Sequence, residues 1–130
     1  MTLFEIVALY VALNILILLV LTYLVIRQRR ADRIGIGSGG NETLERAIRV
    51  PGNFTEYAPM ALIGLFAMAG LSAAPIWLHV TGGLFTVGRL LHAFGYSRNS
   101  GTSVGRFGGM ILTLLAFLVM AGYLLGAVIT

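Results

Sequence analysis

Residues 3–26 form a single apolar segment, and this segment restricts the chain to a membrane fold. It has 24 residues, and its one charged residue, Glu5, lies at the edge. A helix rises about 1.5 Å per residue, so this one would be about 36 Å long and would exceed the roughly 30 Å hydrocarbon core of a bilayer. No basic residue precedes it, and it is too long for a cleaved signal peptide, so we expect a permanent spanning helix.

The composition predicts several such helices. The chain has 130 residues, of which 58% are hydrophobic and 11% are charged. A soluble domain of this size could not bury so much apolar surface. The apolar segments and the turn-forming residues between them predict one domain over residues 1–130, with helices at 3–26, 42–71, 76–96 and 104–129. We therefore expect an all-α fold, an integral membrane four-helix bundle.

The charged residues indicate how the bundle lies in the membrane. The chain has nine arginines and no lysine. With four spans, the 1–2 and 3–4 loops lie on one side, and with their flanks they hold Arg27, Arg29, Arg30, Arg33, Arg98 and Arg106. The positive-inside rule places that side in the cytoplasm and both termini outside it. A bacterial inner membrane fits a chain this short without organelle signals.

Residue usage also limits the chemistry. The chain has no cysteine, which excludes disulfides and a cysteine nucleophile, so any thiol chemistry must use a thiol brought by a substrate. The two histidines are far apart, and we expect no metal site. His79 lies near the end opposite to the arginines without polar neighbours, so we interpret it as an interfacial residue. The expected surroundings are membrane lipids, with no nucleic-acid partner.

A polar cluster at the start of the second predicted helix is the strongest sign of a binding site. Residues 45–57 read ERAIRVPGNFTEY and run directly into a stretch of apolar and small residues. Arg49, Asn53 and Glu56 are spaced i, i+4 and i+7, with Glu45 one turn earlier, so all four project from one helical face. Ionisable groups at membrane depth are costly and usually functional. For Glu45 and Arg46, surface salt bridges on an interfacial turn are an equal alternative.

The third and fourth predicted helices add polar groups at the same end of the bundle. Arg89, His92 and Tyr96 are spaced i, i+3 and i+7 on one face. Arg106 begins the fourth helix and Arg27 ends the first, and each is either a site residue or an interfacial anchor. Together these residues predict a site for a ligand with more carboxylates than amines. Because the site lies beside lipid, an apolar second substrate could arrive from the bilayer.

Small residues predict close helix packing at two places in the fourth helix. Gly105 and Gly109 form one GxxxG pattern, and Gly122 and Gly126 form another. Either pair would allow two helix backbones to approach. We expect packing within a subunit or an oligomer rather than a dedicated dimer motif.

At these polar residues the chain resembles the MAPEG family, the membrane-associated proteins of eicosanoid and glutathione metabolism. The resemblance covers nearly the whole length and rests on ERAIRVPGNFTEYAP in helix two and GRLLHAFGY in helix three. It implies a homotrimer that binds glutathione between subunits and takes lipophilic substrates from the membrane. It further implies glutathione binding by Arg49, Asn53 and Glu56 with Glu45 close by, by Arg89, His92 and Tyr96, and by Arg27 of an adjacent subunit. Arg106 would stabilise the thiolate.

The sequence departs from the family pattern at four positions. Pro51 and Gly52 replace histidine and arginine of some members, and Pro51 should kink the helix because it lacks an amide donor. Phe107 stands where prostaglandin-forming members carry a serine, and Met110 occupies a position that can be tyrosine in the family. The resemblance therefore points to the bacterial branch rather than to an eicosanoid synthase.

We consider three functions. The first is a glutathione transferase or peroxidase that acts on lipophilic electrophiles through a stabilised thiolate. The second is a non-enzymatic lipid-binding scaffold of the same fold. The third is a small multidrug transporter, but such proteins depend on a membrane-embedded acid in helix one, whereas Glu5 lies at the helix edge.

Overall fold

The computed structural model describes residues 1–98 and 103–129, with the backbone alone at 96–98. The described residues form four helices and no strand: α1 (Leu3–Asp32), α2 (Glu42–Gly70), α3 (Pro75–Arg98) and α4 (Val104–Ile129). The predicted all-α membrane bundle is confirmed. Two of these helices, α1 and α4, are long and apolar enough to cross a membrane by length and composition. The predicted total of four spans and the topology of the termini stay predictions.

Helix α1 is longer than the predicted segment 3–26, because it continues through the basic residues to Asp32. It begins with a capping box in which Thr2 and Glu5 bond each other's backbone amides. No glycine or proline interrupts the basic segment, and Gln28 donates a 2.9 Å hydrogen bond to Asp32 one turn on. Arg33 follows the helix as its C-cap, and its left-handed backbone closes the last turn. The end of the apolar segment is therefore not the helix terminus.

Helix α2 begins where the sequence predicts and continues through both of its prolines. The side chain of Asn41 caps it by accepting hydrogen bonds from the amides of Thr43 and Leu44 at 2.9 and 3.0 Å. Neither Pro51 nor Pro59 ends the helix. Helix α3 extends one residue before and two residues beyond the predicted segment 76–96. The loop predicted at 97–103 lies largely outside the described residues.

Helices α3 and α4 pack with their backbones in close contact, because glycines face each other across the contact. A Cβ atom on Gly88 would lie 2.8 Å from the carbonyl oxygen of Gly109, and one on Gly105 would lie 3.1 Å from the Cα of Gly95. The Gly105–Gly109 pattern thus packs within the subunit. By contrast, a Cβ atom on Gly122 would meet nothing within 4 Å. The glycine contact fixes the start of α4 against the polar end of α3.

Polar side-chain contacts join α1 to α3. The Tyr10 hydroxyl lies 3.1 Å from Nδ1 of His79 and donates to the carbonyl of the same residue at 3.1 Å. The Asn14 amide donates to Thr86 Oγ1 at 2.9 Å, while its Oδ1 is buried without a partner. The interpretation of His79 as a residue without polar neighbours was therefore wrong. Its neighbour comes from a different helix, which sequence proximity does not reveal.

Candidate functional site

A cavity of about 610 Å³ opens between α2, α3 and the start of α4. One part of its wall is cationic or polar, and the other part is apolar. The lining side chains are Arg49, Asn53, His92, Ser103, Val104, Arg106, Phe107 and Met110. No carboxylate is among these described lining residues, so the cavity has the charge character expected of an anion site.

The buried guanidinium of Arg89 lies behind the polar wall. Arg89 is 1% exposed and is the largest fully buried side chain of the described residues. Its Nε and Nη2 donate to Thr113 Oγ1 at 3.0 and 2.7 Å, and its Nη1 donates to Asn53 Oδ1 at 2.8 Å. Nη2 also lies 3.7 Å from the Met110 sulfur. Arg89 thus ties α3 to both α2 and α4.

All of these partners are neutral. The guanidinium carbon also lies 5.1 Å from the ring centroid of Tyr57 and 5.9 Å from that of Phe85, distances at which cation–π attraction operates. Within the described residues, Arg89 has no carboxylate partner at ion-pair distance. A buried charge without a counter-ion is costly, and a bound anion in the adjoining cavity would offset that cost.

Asn53 connects the buried Arg89 to the edge of the cavity through hydrogen bonds. Because its Oδ1 accepts from Arg89, its Nδ2 is directed outward and donates to Glu56 Oε2 at 3.3 Å. Glu56 itself is exposed. The relay Thr113–Arg89–Asn53–Glu56 therefore runs from α4 through α3 to the surface of α2, and it holds one carboxylate near a mainly cationic cavity.

The start of α4 is fixed by Ser103. Its hydroxyl donates to the carbonyl of Gly95 at 3.0 Å and accepts from the amide of Arg106 at 3.3 Å. It therefore caps α4 and ties it to α3 at once. Arg106 is half-buried, His92 is buried, and both side chains line the cavity. The glycine contact and this cap together bring the two residues to the same wall.

The structure brings together most, but not all, of the predicted site residues. Arg49, Asn53, His92 and Arg106 line the cavity, Arg89 lies behind it, and Glu56 is bonded to Asn53. Glu45 is exposed and does not line the cavity. Tyr96 lies on α3, but its side chain is outside the described part of the structure.

Arg27 lies in a separate cleft of about 190 Å³ between α1 and α2. The cleft is lined by Leu21, Leu24, Arg27, Gln28, Thr43, Arg46, Ala47 and Val50. It shares no lining residue with the larger cavity. Within one subunit, Arg27 is therefore not a wall of the candidate site.

Sequence reasoning missed Thr113 and Ser103. Thr113 is fully buried and accepts two of the hydrogen bonds of Arg89. The sequence contained a signal for Thr113, because this residue lies seven positions after Arg106 and so projects from the same face of α4. Ser103 stood at the end of a predicted loop, where an N-cap is common. No group of three histidine, aspartate or glutamate side chains suitable for a metal occurs among the described residues.

Known proteins are similar to this chain over most of its length. The model of the MAPEG family matches residues 7–126. The inner membrane protein YecN of Escherichia coli, from strain K12 and from strain O6:H1, is 35% identical over 114 residues, which covers 87% of this chain and 85% of each relative. The family match includes all of α2 and α3, most of α1 and α4, and every lining residue of the cavity.

Proposed function

The chain belongs to the MAPEG family, and from this premise we propose that it binds glutathione in the cavity between α2, α3 and α4 and activates its thiol. The observation that carries the proposal is the charge of the cavity. Arg49 and Arg106 line it, Arg89 lies buried behind it, and no carboxylate is among its described lining residues. Glutathione has two carboxylates and one ammonium group, so its charges match this arrangement.

The residues fit the parts of this ligand. Guanidinium groups bind carboxylates through paired, charge-assisted hydrogen bonds, which suits Arg49 at the open edge of the cavity. We assign the ammonium group to Glu56, and the hydrogen bond from Asn53 to this carboxylate supports the assignment. Asn53 and His92 offer further polar contacts from the wall. One acid beside several cations is the pattern that a ligand with one amine and two acids requires.

Arg106 is the residue that we propose for thiol activation. A free thiol has a pKa of ~8.5, and a shift of about two units downward requires about 2.7 kcal/mol. A positive charge at about 4 Å supplies about 4 kcal/mol at an effective dielectric constant of about 20. One half-buried guanidinium is therefore sufficient, and the field of Arg89 acts in the same direction.

The apolar wall indicates the second substrate. Val104, Phe107 and Met110 line the cavity beside the arginines, and Val104 and Phe107 are also highly exposed on the outer surface of α4. In a bilayer that surface contacts lipid. The thiolate of bound glutathione would attack a lipophilic electrophile or reduce a lipophilic hydroperoxide that arrives by this route.

The oligomer belongs to the same proposal. We propose a homotrimer in which Arg27 reaches the site of a neighbouring subunit, because it does not reach the cavity of its own. Glu45 and Tyr96 are proposed as further contacts to glutathione in that assembly. We place the protein in a bacterial inner membrane with the arginine-rich end in the cytoplasm and both termini on the other side.

Isothermal titration of the purified protein with glutathione in detergent tests the proposal. The matched variants are Arg49→Ala, which removes a cavity guanidinium, and Arg30→Ala, which removes an exposed guanidinium of α1 outside the cavity. Loss of one charge-assisted hydrogen bond costs about 1.5–3 kcal/mol, so Arg49→Ala should weaken binding about 10- to 100-fold. Arg30→Ala should bind as the wild type does. Absence of binding in a folded sample, or equal weakening by both variants, would contradict the proposal.

A non-enzymatic lipid-binding scaffold is the second candidate, and the broad apolar outer surface is the observation that favours it. The two functions differ in one product. The transferase forms a glutathione conjugate with a generic aromatic electrophile, whereas the scaffold forms none even when glutathione binds. A conjugation assay on the same sample therefore separates them.

A further inference from the structure

We propose that Met110 is a site of reversible oxidation, at which a lipophilic hydroperoxide forms one epimer of methionine sulfoxide. Met110 lines the cavity of about 610 Å³, and its side chain is partly exposed. Its sulfur lies 3.7 Å from Nη2 of Arg89, which donates a hydrogen bond to it. The oxidation needs no glutathione, so the inference stands independently of the function proposed for the same cavity.

Of the five methionines, Met110 alone combines access to an oxidant with a hydrogen-bond donor on its sulfur among the described residues. Met68 and Met120 are buried, so an oxidant does not reach them while the chain is folded. Met1 and Met60 are exposed, but no group of the described residues donates a hydrogen bond to either sulfur. Met60 is therefore an internal reference, an exposed thioether that no donor orients.

The hydrogen bond from Arg89 makes the two faces of the Met110 sulfur different. A thioether sulfur has two lone pairs, and oxidation at one or the other gives opposite epimers of the sulfoxide. Arg89 is fully buried and donates three hydrogen bonds to Thr113 and Asn53, so its Nη2 keeps to one face of the sulfur. The oxidant must attack the other lone pair, and we therefore expect one epimer to dominate.

A lipophilic hydroperoxide is the oxidant that fits this position. Val104 and Phe107 line the cavity beside Met110 and are highly exposed, so an apolar oxidant can enter from the membrane. The sulfur attacks the terminal oxygen of the hydroperoxide, so that an S–O bond forms while the O–O bond breaks. The sulfur loses two electrons, and the hydroperoxide becomes an alcohol that keeps its proton. Arg106 in the same wall would stabilise the negative charge that develops on the departing oxygen.

The lining of the cavity also favours the product. A sulfoxide oxygen is a stronger hydrogen-bond acceptor than a thioether sulfur. The wall carries Arg49 and Arg106 and no carboxylate among its described lining residues, so it offers donors to the new oxygen. The flexible methionine side chain can turn that oxygen toward them. Oxidation would thus make part of the apolar wall polar, and methionine sulfoxide reductases reverse such a change.

Peptide mapping by mass spectrometry after treatment with cumene hydroperoxide tests the inference. The full chain is treated in neutral detergent without glutathione, the oxidant is removed, and the protein is unfolded and digested. The peptides are then incubated with one of the two reductases, each of which accepts a single sulfoxide epimer. One epimer should exceed the other at least about tenfold at Met110, which corresponds to about 1.4 kcal/mol between the two faces of the sulfur. Met60 should give about equal amounts.

Two controls examine the origin of this excess. A chain that is unfolded in denaturant before oxidation should give both epimers at Met110, because Arg89 no longer faces the sulfur. Thr113→Val, which removes the acceptor of two Arg89 hydrogen bonds, should lower the excess, whereas Thr113→Ser should keep it. Melting of both variants in the same detergent shows that they are folded at the temperature of oxidation.

Three results would overturn the inference. They are equal epimers at Met110 of the folded wild type, oxidation of Met60 without oxidation of Met110, and the same excess in the valine and serine variants. Because no glutathione is present, none of these results bears on the proposed function, which glutathione titration tests separately.

Discussion

Replacing Thr113 by valine should loosen the buried arginine that organises the site. The Thr113 hydroxyl accepts two hydrogen bonds from Arg89, at 3.0 and 2.7 Å, and donates to the carbonyl of Gly109 at 2.8 Å. Valine keeps the shape of threonine but removes the acceptor. Arg89 would then keep Asn53 and Met110 as its hydrogen-bond partners while remaining fully buried.

The expected loss of stability follows from the two lost bonds. Hydrogen bonds within membrane proteins contribute about 0.6 kcal/mol on average and up to about 1.7 kcal/mol. Both bonds involve a charged donor, so the loss should be about 1–3 kcal/mol, near the upper part of that range. For a chain of this length, 1 kcal/mol shifts the melting temperature by about 4 °C, so the variant should melt about 4–12 °C below wild type.

Thr113→Ser is the matched control, because it keeps the hydroxyl and removes one methyl group. It should cost no more than about 1 kcal/mol. The assay is thermal unfolding in detergent followed by circular dichroism, with glutathione titration of the folded variants. Thr113→Val should also bind glutathione more weakly, because Arg89 is no longer held by Thr113 and therefore positions Asn53 less firmly. The reasoning is refuted if valine and serine variants melt together and bind glutathione with the same affinity.

Three further predictions concern other parts of the molecule. Arg106→Ala should reduce turnover more than glutathione binding, whereas Arg30→Ala should change neither; steady-state kinetics and calorimetry on the same samples give the comparison. Gly88→Ala should abolish the folded bundle or lower its melting temperature severely, because its Cβ would lie 2.8 Å from a backbone oxygen of α4, whereas Gly122→Ala meets nothing within 4 Å and should melt as wild type does. Asn14→Leu should melt within about 4 °C of wild type, because relief of its unpartnered buried oxygen offsets two lost hydrogen bonds. A large loss in Asn14→Leu would show that the polar contact is essential.

The helices could be predicted from the sequence because apolar length and caps are local properties. Asparagine is favoured at helix N-caps, and the structure shows Asn41 in that position at the start of α2. The end of α1 was missed because the prediction followed the apolar segment, while the helix itself continues to Asp32 through good helix formers. The GxxxG pattern of Gly105 and Gly109 predicted close helix packing, but only the structure identifies α3 as the partner helix.

The candidate site was predictable where it depends on spacing within a helix. The i, i+4 spacing of Arg49 and Asn53 places both on one wall of the cavity. Contacts between helices were not predictable: Thr113 supports Arg89 across the α3–α4 contact, and Tyr10 bonds His79 across the α1–α3 contact. The surroundings of Arg27 were not predictable either, because the spacing within α1 does not show which neighbouring helix this residue faces.

An ultraviolet difference spectrum recorded as glutathione is added to the protein near neutral pH tests the central claim most directly. The account predicts a thiolate band in wild type at a pH where free glutathione is mainly a thiol, no band with the analogue in which serine replaces cysteine, and loss of the band in Arg106→Ala. Saturable glutathione binding without any thiolate band, or a band unchanged by Arg106→Ala, would contradict the account.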